Sequence, residues 1–298
     1  MRSDDWHIST DTAGTAGTAA IDDFLDRAGD FLRSRPALHT TALTTFEKLR
    51  TDRTGTTAVD SPALGRLEDG SGQVSGVFYR LTPKSLLSLT PLTPEQADTL
   101  AARLAALGHR LPGVSAEHAT ATAFAEAWQR HTGATPTLRT RINLYRLGTL
   151  TPPEPLPAGR GRPVGEGEAE REHLMQWCRE LAKDLGEEVT INADTWASTR
   201  FGEKRYTYWE TPDGTPVSLA GVNPLVAGHV RVDPVYTPAH LRGRGYAGAV
   251  TVEVSRAALD AGATDVVLYA DPDNPTSNAL YQRIGYRLIA GWAVYDFA

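Results

Sequence analysis

Apolar residues along the first third of the chain recur with two different periods. Ile21, Phe24, Leu25, Ala28, Phe31 and Leu32 form a stripe at helical spacing, and "TTALTTFEKLR" continues it as a second helix. "ALGRLEDGSGQVSGVFYRL" reads as two strands about an Asp-Gly turn, and "KSLLSLTPL" as a third. "TPEQADTLAARLAALG" opens on Thr-Pro, carries acidic residues early, repeats Ala97, Leu100, Ala101 and Leu104, and stops at Gly108; it predicts a helix. A short "LPGVSA" connects it to a further helix, "EHATATAFAEAWQRHTG", and then to the strand-like "TLRTRINLYRLGTL".

"TPPEPLPAGRGRP" crowds proline and glycine, which break helices and central strands alike, so a linker is expected there. Beyond it the pattern predicts a helix over "EAEREHLMQWCRELAKDLGEE", a shorter one near "ADTWASTRFG", and strands at "RYTYWE", "TPVSLAGV" and "LVAGHVRVDPVYTP". A helix over 245–260, the strand "DVVLYAD", the helix "TSNALYQRIG" and strands through "LIAGWAVYDFA" complete the chain. Both halves run in the same order of strands and helices. The expectation is an α/β protein of two similar lobes: a flexible tail at 1–20, one lobe at 21–155 and a second at 156–298.

Composition narrows the function. The 298 residues are 41% hydrophobic, enough for two cores. Thirty-six acidic residues against 30 basic ones give a formal charge of −6, which argues against a nucleic-acid partner and leaves room for a cationic amine. The one cysteine, Cys178, forms no internal disulfide and sits in a helical pattern that buries it. The polar N-terminal stretch has no apolar core and is expected to be neither a signal peptide nor a membrane anchor; no other stretch has the roughly twenty apolar residues of a membrane helix, and a cytoplasmic protein, monomer or homodimer, is expected.

The chemistry concentrates at "LRGRGYAG", residues 241–248. Ala247, Val250, Val254, Ala257 and Ala258 recur helically just after it, so the glycines open a helix. Unpaired amides at a helix start favour an anion, and Gly243 and Gly245 allow the close backbone approach that a pyrophosphate needs, with Arg242 and Arg244 beside them. No Lys-Ser or Lys-Thr pair closes the loop as in a nucleotide P-loop, and the dinucleotide glycine spacing is absent. The string "AGRGRP" at 158–163 has similar letters, but Pro163 follows it and no helix begins there. Histidines show no zinc-ligand spacing, no Gly-x-Ser-x-Gly elbow occurs, and no metal is expected.

Arg242, Gly245 and Ala247 resemble the Arg/Gln-x-x-Gly-x-Gly/Ala pattern of the GNAT acetyltransferase superfamily, and "DNPTSNALYQRIGY" is similar to its second signature. The resemblance covers residues 160–298 well. The first half is similar in element order alone, as in tandem members of the mycothiol-synthase type. Its corresponding loop, "TPLTPEQADTL", has neither glycine nor arginine, which implies a degenerate lobe that holds no acetyl-CoA.

The resemblance implies mainly antiparallel mixed sheets flanked by helices, and acetyl-CoA as co-substrate. It implies that backbone groups of Val235, Tyr236 and Thr237 hold the pantetheine and acetyl carbonyl. Arg242, Gly243, Arg244, Gly245, Tyr246, Ala247 and Gly248 take the pyrophosphate, and Asn274 or Asn278 bonds the cofactor. Tyr281 is the implied general acid for the departing thiolate. The expected reaction is direct acetyl transfer to a primary amine of a small molecule. The alternatives are a protein N-terminus as acceptor, or a non-catalytic acyl-CoA-binding module. Glu210 and Asp233 are candidates for the base, although most carboxylates serve solvated faces or salt bridges.

Overall fold

Thr93 shows how local chemistry sets the elements of this fold. Its hydroxyl accepts from the amide of Gln96, the Gln96 side chain accepts from the Thr93 amide, and Pro94 begins the helix. The computed structural model describes residues 5–10, 17–51 and 59–298, which divide into two compact units, residues 1–144 with 289–298, and residues 145–288.

In the first unit the strand β1 (Asp5–Thr10) precedes helices α1 (Gly17–Ser34) and α2 (Thr40–Thr51). Strands β2 (Ala63–Glu68), β3 (Val74–Arg80) and β4 (Leu87–Leu89), helix α3 (Pro94–Ala106), strand β5 (Gly113–Glu117) and helix α4 (His118–Thr132) follow. Strand β6 (Pro136–Leu147) leaves this unit, and the end of β12 (Tyr286–Phe297) returns to it. The strand order is β1-β2-β3-β4-β5-β12, antiparallel except for β4 with β5. The faces of α3 and α4 chosen by their apolar spacing, Leu100, Leu104, Phe124 and Trp128 among them, pack with Phe78, Leu87 and Val114 in one core.

Two expectations need correcting here. Residues 5–10 are no tail: they pair antiparallel with β2 from Asp5–Glu68 to Thr10–Ala63, and burial of Trp6 rewards the pairing. The rest of the expected tail, 1–4 and 11–16, lies outside the described residues. "LPGVSA" is more than a connector, because Gly113–Glu117 is a buried strand paired with both β4 and β12.

The second unit holds β7 (Arg160–Pro163), α5 (Glu168–Asp184), a 3₁₀ turn at Trp196–Ser198, β8 (Arg205–Glu210), β9 (Pro216–Val222) and β10 (His229–Tyr236). Helix α6 (Tyr246–Asp260), strand β11 (Asp265–Ala270) and helix α7 (Pro275–Arg283) complete it, in the strand order β11-β10-β9-β8-β7. One face carries α6 and α7 over Val230, Val232, Val266 and Leu268; the other carries α5, whose Leu174, Trp177 and Cys178 meet Tyr206, Tyr208 and Leu219. Cys178 is fully buried, and burial pushes its thiol up to about 12, so it is an inert core residue.

The last four residues of the expected linker are part of this sheet, whereas 151–159 have no regular structure. Arg160–Pro163 pairs with β8, and Arg162 reaches Glu210 at 2.5 Å and Glu170 at 2.6 Å. The unit boundary falls after Leu144, not at 155, and residues 289–298 belong with the first unit. Among the described residues no helix is long and apolar enough to cross a membrane.

Candidate active site

Strand β10 parts from its parallel neighbour where the chemistry was expected. Its register with β11 runs from His229–Asp265 to Val232–Leu268, yet β10 continues to Tyr236. On its other side the steps from Val232 to Val235 are met by fewer from Val222 to Ala220, so β10 carries an extra residue there. Beyond this bulge the strand is tied down by side chains. The buried Ser218 hydroxyl donates to the Tyr236 carbonyl at 3.0 Å, and Arg242 Nε donates to the Thr237 carbonyl at 3.0 Å.

The glycine loop then turns into α6. Gly243 and Gly245 have φ of +78° and +82°, a region that a side chain disfavours, and a Cβ on Gly243 would meet nothing within 4 Å. No side chain caps α6, so the amides of Tyr246, Ala247 and Gly248 at its start are left to a ligand or solvent. This is the opposite of α3, whose start is closed by Thr93 and Gln96. Arg242 is committed: besides Thr237 it binds Asp184 at 2.6 Å, and so fixes the loop against α5. Arg244 is exposed beside the open amides.

Helix α7 brings the second group of expected residues. Asn274 caps it, its side chain accepting from the Ser277 amide at 3.0 Å. Asn278 is buried and fully engaged: its amide nitrogen donates to the carbonyls of Asp271 and Asn274, both at 2.7 Å, and its oxygen accepts from the Tyr145 hydroxyl at 2.7 Å. Tyr281 lies in the core cluster against which Val235, Leu241 and Tyr246 pack, 6.1 Å ring to ring from Tyr286. Burial, and secondarily the charge of Asp233, pushes its phenol up to about 12.

Both candidate bases are ion-paired. Glu210 is bound by Arg162. Asp233, at the bulge, is held by Arg200 at 3.1 Å and by Lys204, whose side chain is only 3% exposed. Burial alone would raise the Asp233 carboxyl, but the charges of Lys204, Arg200 and Arg231 outweigh it and hold the group below the usual carboxylate range. These partners were missed in the sequence: Arg162 sat in the supposed linker, and Lys204 lies 29 residues from its carboxylate.

A pocket of about 590 Å³ opens between α5 and the ends of β9 and β10, walled by His173, Trp177, Glu180, Val217, Tyr236 and Leu241. Its α5 wall repeats at positions 173, 177, 180 and 184, a helical face visible in the sequence but read there only as helix.

The comparisons with known proteins bear on this geometry. The family described as FR47-like protein matches residues 231–295, from β10 through the glycine loop and α7 into β12. No curated protein matches the chain. Among solved structures, a GCN5-related N-acetyltransferase from Sphaerobacter thermophilus is 18% identical, with a TM-score of 0.55 over 97% of this chain and 94% of that one. A tandem GNAT protein from the clavulanic acid biosynthesis pathway is 13% identical, with a TM-score of 0.56 over 99% and 98% of the two chains. A GCN5-related N-acetyltransferase from Kribbella flavida is 20% identical, with a TM-score of 0.50 over 74% and 86%. With its parted strand, open glycine loop and two units of like element order, the chain has the fold of the GNAT acetyltransferases.

Proposed function

We propose that this protein is an N-acetyltransferase that moves an acetyl group from acetyl-CoA to a primary amine of a small molecule by direct attack in a ternary complex. The observation that carries the reading is the uncapped start of α6, entered through two left-handed glycines from a strand that has left its neighbour. The space above Gly243, which a Cβ would fill, suits a diphosphate laid on main-chain amides.

Residues 242–248 would hold the diphosphate, and the backbone of Val235, Tyr236 and Thr237 the pantetheine and thioester. Asn274 is exposed, and its capping role uses only its oxygen, so its amide nitrogen serves the cofactor; Asn278 instead sets α7 and with it Tyr281. Acetyl-CoA supplies an activated thioester, from which transfer forms a C–N bond, breaks the C–S bond and leaves a thiolate in need of a proton. Tyr281 keeps its proton throughout the neutral range and is the donor. Asp233, held as a carboxylate by its cationic neighbours, is a weak base, and Glu210 is occupied by Arg162, so the amine's proton leaves through water.

The first unit takes a supporting role in this proposal, because the closed start of α3 leaves no comparable seat for a diphosphate. The test is release of free coenzyme A thiol from acetyl-CoA on addition of an amine panel, with the Tyr281→Phe variant in parallel. Amine-dependent release that falls in the variant supports the reading. Tight acetyl-CoA binding without release from any amine argues for a binding module.

A further inference from the structure

We infer that the pocket between α5 and the ends of β9 and β10 seats the acceptor, and that the acceptor is an organic monoamine whose ammonium group is attached to an aromatic or branched apolar body. The inference rests on the acetyltransferase reading and adds the substrate class to it.

Glu180 carries the argument. Its carboxylate accepts from the Tyr236 hydroxyl at 2.8 Å and from the Gln176 amide at 2.9 Å, both neutral donors. No lysine, arginine or histidine forms an ion pair with it among the described residues, whereas Asp184, a turn further along the same wall, is neutralised by Arg242 at 2.6 Å. Two neutral dipoles therefore hold at the pocket wall a carboxylate that has no ion-pair partner among the described residues. Such a group is satisfied by a cation arriving with the ligand.

The surroundings favour the same occupant. Trp177 and Tyr236 meet edge to face at 6.0 Å, and His173 packs on Trp177 at 4.5 Å, so aromatic surface flanks the carboxylate. Burial lowers the His173 imidazole, against the opposing charges of Glu180 and Glu170, so at neutral pH it does not repel a cation. Val217, Pro216, Pro238 and Leu241 supply apolar walls that fit a hydrocarbon body better than a sugar. Lys183, one turn along α5 from Glu180, also lines the pocket and disfavours a second positive charge, which selects against polyamines. Tyr236 joins the two sites: its backbone belongs to the strand proposed for the thioester, and its side chain forms the pocket wall.

The experiment is isothermal calorimetry on the full chain with phenethylamine, benzylamine and isoamylamine, and with 2-phenylethanol, 3-phenylpropionate and spermidine as contrasts. The same samples are titrated with acetyl-CoA. At least one monoamine is expected to bind at least tenfold tighter than all three contrasts, and Glu180→Gln to abolish that margin while leaving acetyl-CoA affinity within twofold. Glu180→Asp, which keeps the charge, should restore part of it and guards against loss of the fold. Equal binding of the alcohol, an unaltered margin in Glu180→Gln, or no monoamine binding by a protein that still binds acetyl-CoA would overturn the inference and leave the acetyltransferase reading standing. Selective amine binding without any acetyl-CoA binding would overturn the acceptor role together with the reading beneath it.

Discussion

Replacing Gly243 with alanine separates the cost of backbone strain from the cost of filling the anion seat. At φ +78° a Cβ meets nothing within 4 Å, so steric collision contributes nothing and only the left-handed conformation is penalised, by about 1–2 kcal/mol. Gly72, in the turn between β2 and β3, has φ +84° and equally open space, and is an internal control. Urea unfolding should therefore show similar losses of about 1 kcal/mol for Gly243→Ala and Gly72→Ala. Calorimetry with acetyl-CoA should separate them: at least a tenfold weaker affinity for Gly243→Ala, equivalent to about 1.4 kcal/mol, and none for Gly72→Ala. Unchanged affinity in Gly243→Ala, or an equal loss in both variants, would refute the idea that this loop carries the diphosphate.

Three further outcomes follow from the same geometry. Tyr281→Phe should lower kcat by about 100-fold or more with the KM for acetyl-CoA within twofold; because the wild-type phenol stays protonated to about 12, no alkaline loss of kcat should arise from it at physiological pH. Asp233→Asn strands the Lys204 ammonium and should cost about 3 kcal/mol in urea unfolding at pH 7, much of it recovered in Asp233→Asn/Lys204→Met. Since the folded carboxyl is held below its unfolded value, that difference is full above about pH 4 and shrinks as the pH falls further. Asn278→Ala removes at least three internal hydrogen bonds and should lower stability by about 2–3 kcal/mol while leaving acetyl-CoA affinity within twofold; a selective loss of affinity would instead make Asn278 a cofactor ligand.

What the sequence showed depended on how local the cause was. Helix α3 was legible because its capping residues and apolar stripe lie within one short stretch, and the α6 loop because glycine is required there for a conformational reason. Strand β1 was hidden because six residues with polar His7 and Ser9 look like a tail until β2 pairs with them and Phe78 and α3 cover Trp6. Strand β7 was hidden because "RGRP" has linker composition, and the carboxylates of Glu170 and Glu210 that hold Arg162 lie outside it in sequence. The pairing of β12 with β5 joins residues about 180 positions apart, and no local pattern encodes it. For the site, the glycines could be named from the helix that follows them, and Tyr281 only through the resemblance of its stretch to the superfamily's second signature. The pairing of Asp233 with Lys204, and of Glu180 with Tyr236, depends on which faces the folded sheet and helices turn to one another.

The central claim is that bare amides at the start of α6 grip a diphosphate. Its most direct test compares, by calorimetry on the wild-type chain and on Gly243→Ala, acetyl-CoA with S-acetylpantetheine, which keeps the thioester arm and lacks both the diphosphate and the nucleotide beyond it; the glycine variant isolates the diphosphate's share. The account predicts measurable acetyl-CoA binding that weakens as salt is raised, and at least 100-fold weaker binding of the truncated compound. Equal affinities, or no binding of acetyl-CoA by folded protein, would contradict it.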